Sequence, residues 1–124
     1  MAKREEENKL LLIPKSEKYV EYIIELIIKL PRTEKFSIGN EFKQSLYKML
    51  EKIMYINKMS KEDENKVIVI LNEVDALLNA QRIYLRIMKK YKWIDEKKFN
   101  VAMNLIYEIG KILGGLIKYY AKNN

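Results

Sequence analysis

Residues 63–92 read DENKVIVILNEVDALLNAQRIYLRIMKKYK. Val67, Leu71, Val74, Leu78, Leu85 and Met88 recur at the three-, four- and seven-residue steps of one helical face. No Gly or Pro interrupts the run, so it predicts one long helix. A helix of that length must bury its apolar line against neighbours, and the flanking sequence supplies them.

Upstream, Phe42, Leu46, Met49, Ile53 and Ile56 mark a second helix from about Ile38 to Lys58, with the 4-3-4-3 spacing of a bundle seam. Ser60, followed three residues later by Asp63, has the spacing of a capping box and separates the two helices. Earlier still, Tyr19, Ile23, Leu26 and Leu30 step at 4-3-4, with Ser16 as the expected N-cap and Pro31 as the stop. Residues 1–14 end on Pro14 and are expected as a mobile arm, which makes residues 1–15 an arm and residues 16–122 the bundle domain. Downstream, Trp93 and Ile94 close the long helix and Asp95 caps a fourth. Its expected core line is Ala102, Leu105, Ile109, Ile112, Leu116 and Tyr120. Short links between long amphipathic helices force antiparallel neighbours. The fold class is therefore all-α, an antiparallel up-down-up-down four-helix bundle.

Composition narrows the chemistry. The 124 residues fit one domain, and 48% apolar content suffices for a core. Four Gly and two Pro leave little chain for turns. Cys and His are both absent, so disulfides, Ser-His and Cys-His nucleophile pairs and the usual zinc sites are excluded. A cytoplasmic location is expected. No apolar run approaches the roughly 18 residues of a membrane span, and residues 1–9 are too charged for a signal peptide. Glu62, Asp63 and Glu64 lack the alternating spacing and central Gly of a calcium loop and read as a helix start. Glu73 and Asp75 would point about 200° apart on a helix, so they form no catalytic pair. No catalytic residue, metal ligand or cofactor is expected.

Charge carries the functional signal. Residues 1–81 hold 14 basic and 14 acidic side chains, whereas residues 82–124 hold ten basic ones against Asp95, Glu96 and Glu108. The whole net charge of +7 therefore lies in the C-terminal third, which points toward a polyanion. Asn72, Asp75, Asn79, Arg82, Arg86 and Lys90 form a polar stripe roughly 80° wide on the long helix. On the last helix Asn100, Asn104, Tyr107, Lys111, Lys118 and Lys122 share a face, and all can donate hydrogen bonds to phosphate. Arg82, Arg86, Lys89, Lys90, Lys111 and Lys118 are the candidate nucleic-acid or partner-binding residues, with Lys92 adding to the same basic run. A solvated basic face would look the same.

Two further features bear on assembly. Val69, Ala76, Ala80, Ile83 and Ile87 lie away from the core line of the long helix and are too apolar for a wet face. They are the candidate interface of a homo-oligomer; the other reading is a helix sunk within its own bundle. Gly110, Gly114 and Gly115 each cost about 1 kcal/mol in a helix interior. Close approach of another helix at Gly110 and Gly114 would account for them.

LPRTEKFSIGNEFKQSLYKMLEKI (residues 30–53) and IYEIGKILGGLIK (residues 106–118) resemble the second and closing helices of the Avd-like four-helix-bundle family, the accessory variability determinants of diversity-generating retroelements. The resemblance spans residues 15–118 and implies a basic homopentameric barrel without catalysis. Its implied partners are a reverse transcriptase and the template RNA or its DNA, in a complex that supports error-prone cDNA synthesis. A cousin family, encoded in intervening sequences of large-subunit rRNA genes, has a Ser-Ile-Pro-Ser-Asn-Ile-Ala-Glu-Gly stretch where this chain reads LYKMLEKIM. That departure favours the retroelement branch. The rival reading is a protein-interaction bundle whose basic face meets an acidic protein.

Overall fold

The computed structural model describes residues 2–122. Four long helices run α1 (Ala2–Ile28), α2 (Ile38–Lys58), α3 (Glu64–Lys90) and α4 (Glu96–Lys122), with single turns of helix at Arg32–Lys35 and Lys61–Asp63. Neighbours are antiparallel, because contacts climb one helix as they descend the next. Ser45 and Lys52 of α2 meet Gln81 and Glu73 of α3, and Lys15 and Tyr22 of α1 meet Glu108 and Lys98 of α4. The helices are all-α and pack as the expected four-helix bundle. The turns joining α1 to α2 and α3 to α4 consequently share one end.

The core lines of α2 and α3 are fully buried at every expected position. On α4 the line is shifted: Ile106 and Leu113 are buried, while Leu105 and Ile112 are only half-buried beside them. Both sides of α4 are in contact, with α3 and with α1. Its buried arc is centred between the two and runs Ala102, Ile106, Ile109, Leu113, Leu116, Tyr120.

The N-terminal helix starts earlier than the sequence suggests. Ser16 is no N-cap but a buried residue inside α1, and the helix runs through Pro14. Proline removes the bond to the Leu10 carbonyl and crowds it. Leu10 is 66% exposed, so water can reach that face of the helix. Opposite it, Leu12 is buried and extends the core line back to Leu12, Ser16, Tyr19, Ile23, Leu26 and Leu30, while Lys9 Nζ donates to the Met59 carbonyl at 3.4 Å. Burial along this line outweighs the proline penalty, and residues 2–15 belong to the bundle's first helix rather than to a separate arm.

Helix ends follow local chemistry. Asp95 Oδ1 accepts from the Lys98 amide at 2.8 Å and starts α4, as expected. Asp63 Oδ2 accepts from the Ser60 amide at 3.2 Å ahead of α3. The C-terminus of α3 closes as a Schellman motif: the Trp93 amide donates to the Met88 carbonyl at 2.9 Å and the Lys92 amide to Lys89 at 3.0 Å. The residue in the left-handed position is Lys92, with φ of 62°, where glycine is usual. A side chain there costs about 1 kcal/mol. The glycine that answers to close packing is Gly39, where a Cβ would stand 3.0 Å from Ile27 Cγ2 and 3.2 Å from the Glu34 carbonyl oxygen.

One polar residue interrupts the α3 core line. Gln81 is fully buried between Leu78 and Leu85. Its Oε1 accepts from Tyr19 Oη at 2.8 Å, and its Nε2 donates to Ser45 Oγ at 3.0 Å, which ties α1, α2 and α3 together. Burial holds the Tyr19 hydroxyl firmly protonated by raising its pKa, only partly opposed by the nearby charge of Arg82. Tyr19→Phe leaves Gln81 Oε1 unpaired in the core and is expected to cost about 1–3 kcal/mol. Adding Gln81→Leu removes that orphan, so the double variant loses less than the sum of the two single ones. Urea unfolding of the four proteins checks this, and strictly additive losses would contradict it.

Candidate nucleic-acid interface

The two basic stripes merge where α3 crosses α4. Arg82 Nη2 lies 3.1 Å from the place a Cβ would occupy at Gly110, so the guanidinium rests against bare α4 backbone. A Cβ at 110 would require the guanidinium to give way by a few tenths of an ångström. Arg82 Nη1 also donates to Asn79 Oδ1, which fixes its direction. Lys111 therefore follows directly after the contact point, and Arg86 stands one turn further along α3.

Acidic groups in this third of the chain are already engaged. Asp95 caps α4, Glu96 lies 3.3 Å from Lys89 Nζ, and Glu108 lies 3.7 Å from Lys15 on α1. Lys89 Nζ also sits 4.6 Å from the centre of the Phe99 ring, and Lys111 Nζ 5.4 Å from that of Tyr107. These exposed pairs are individually weak, so they cost little to break. Arg86, Lys90 and Lys118 are exposed and form no ion pair among the described residues. Arg82 and Lys89 are thus anchored at the α3–α4 contact, Lys111 rests near Tyr107, and Arg86, Lys90 and Lys118 are exposed.

The apolar candidates lie on the adjoining side of α3. Val69 and Ile83 are 57% and 52% exposed, Ala76 is exposed, and Ala80 and Ile87 are half-buried. The alternative of a helix sunk in its own bundle fails here, because α2 and α4 cover only the flanks. Ala76 and Ala80 open onto a groove of about 760 Å³ between α2 and α3, walled by Ile70, Leu77, Tyr55 and Met59. Exposed Tyr55 was not among the sequence candidates; its place on the outer side of the α2 wheel is the signal that could have found it.

The close helix approach expected at Gly114 is absent within the chain, and Gly115 beside it is equally open. Both are exposed, and a Cβ at either would meet nothing within 4 Å. They lie on the outer face of α4, and only Gly110, beneath Arg82, has a near neighbour. Among the described residues no cluster of acidic side chains could hold a metal ion, and no helix is long and apolar enough to cross a membrane.

A family model described as bAvd-like matches residues 10–120. The chain belongs to the bAvd-like family. No curated protein matches it. In this bAvd-like chain the matched span opens just before Leu12 and closes on Tyr120, the first and last residues of the buried core. It takes in α2 and α3 whole, most of α1 and α4, and all six candidate cations.

Proposed function

We propose that this bAvd-like protein is a non-catalytic, cytoplasmic accessory subunit of a diversity-generating retroelement. As a homo-oligomer, a pentamer by the family resemblance, it binds template RNA or cDNA and a reverse transcriptase, and so supports mutagenic reverse transcription. The observation that carries the reading is the joined basic flank of α3 and α4, where Arg82 lies across Gly110 and the three carboxylates of the C-terminal third, Asp95, Glu96 and Glu108, are engaged. Such a surface attracts phosphate backbones with little sequence preference. The test is capture: the tagged chain is expected to retain both a reverse transcriptase encoded beside it and that element's template RNA. Retention of neither, with capture of an acidic protein instead, would establish the rival reading.

Self-association uses the uncovered apolar side of α3. Ile83→Glu places a charge on that face and is expected to shift the protein toward the 14.9-kDa monomer in sedimentation at micromolar concentration. A wild-type protein already monomeric under those conditions would remove the oligomer from the proposal.

A further inference from the structure

We propose that the bundle end formed by the two turns binds unpaired bases, with Tyr91 as a stacking platform, so that the ligand of this protein is single-stranded nucleic acid. The inference rests on the nucleic-acid reading above and specifies the form of ligand. Three observations meet at this end. Tyr91 and Trp93 stack with ring centroids 5.3 Å apart and planes 24° from parallel. Trp93 is half-buried and backs the pair, whereas Tyr91 remains 60% exposed. An aromatic ring held from behind and open in front is suited to accept a base.

The second observation is Lys92, a side chain at a left-handed turn position that glycine would occupy at lower cost. Backbone geometry gives no reason for lysine there, but charge does. Lys90, Lys92 and Lys97, which bracket the stacked pair in the sequence, are all exposed, and the acidic groups among them, Asp95 and Glu96, are taken up by the cap and by Lys89. Cations flanking an aromatic platform hold the phosphates on either side of a stacked base.

Topology supplies the third. The antiparallel order brings the α1–α2 turn to the same end, and Phe36 in that turn is 75% exposed beside exposed Arg32. A paired duplex has its bases already stacked on one another and cannot use such rings. The flank of α3 and α4 takes phosphates of any strand; this end selects unpaired ones.

The lone tryptophan of the chain makes the test direct, since Trp93 fluorescence reports the site alone. The protein is titrated with oligothymidylate and with an abasic strand of equal length. Oligothymidylate is expected to bind more tightly and to quench Trp93, and the abasic strand to leave the emission unchanged. Tyr91→Ala should weaken oligothymidylate binding roughly five- to hundredfold while changing abasic binding less than twofold, and Tyr91→Phe should retain the ring and the affinity. Lys92→Gly should raise the melting temperature yet weaken both strands alike. Equal binding of the two strands with Trp93 unmoved would overturn the stacking site and leave the basic flank standing. Failure of both strands to bind at low salt would instead overturn the nucleic-acid reading itself. Quenching by polyglutamate but not by oligothymidylate would assign this end to an acidic protein.

Discussion

Reversal of Arg82 and Arg86 to glutamate is expected to remove most of the protein's affinity for nucleic acid, on every sequence alike. Phosphate contacts carry the binding in the proposed reading, and phosphates hold no base information. Each phosphate neutralised contributes about −0.9 to the log-log salt slope on duplex and about −0.7 on single strands. Losing two such contacts should flatten the slope by roughly 1.4–1.8, and the added negative charges repel the strand besides. In an oligomer the loss repeats in every subunit. Filter binding across a salt series reads both slope and affinity. Arg82 is half-buried against Gly110, so its reversal could disturb α3–α4 packing. Arg86→Glu with Lys90→Glu changes two exposed side chains and supplies the matched variant. If both pairs spare nucleic-acid binding but abolish capture of the reverse transcriptase, the α3 stripe is a polymerase dock and the nucleic-acid surface lies on α4.

The second large effect is on stability. Leu12→Ala should cost about 2–5 kcal/mol, the range for emptying a buried leucine site. A domain of this size has about 5–15 kcal/mol in total, so the loss is a substantial share. Were residues 1–14 a mobile arm, the same change would be silent. Urea unfolding separates the two outcomes, and an unchanged midpoint would detach the start of α1 from the bundle.

Leu12 also shows what the sequence could and could not convey. Pro14 reads as a break because its effect is local and fixed, whereas the burial that overrides it comes from helices distant in sequence. The continuation of the 4-3 step through Leu12, Ser16 and Tyr19 was the available clue. The lines of α2 and α3 were legible because charged residues break up the apolar positions and fix their phase. On α4, Leu105, Ile106, Ile109, Ile112, Leu113, Leu116 and Ile117 make an arc too wide for periodicity to choose a centre. The basic stripes were visible, since Lys and Arg must reach water. Their union at Arg82 and Gly110 was not, because register between helices is set by packing. Composition likewise drew attention to the paired glycines of α4, while the crowded position was Gly39, single and unremarked at the entrance to α2. Tyr91 is not legible as a site in the sequence, because an aromatic at a helix end gives no sign of which way it faces.

The Tyr19–Gln81–Ser45 chain has a consequence for how relatives of this protein can diverge. Apolar core positions drift one at a time, since a neighbour can shift to fill or yield space. Three hydrogen-bonded groups have no such latitude, because the first to change strands the others. Across relatives these positions are expected to be inherited as a unit, polar together or apolar together. An evolutionary path between the two forms must pass through a chain weakened by one stranded amide.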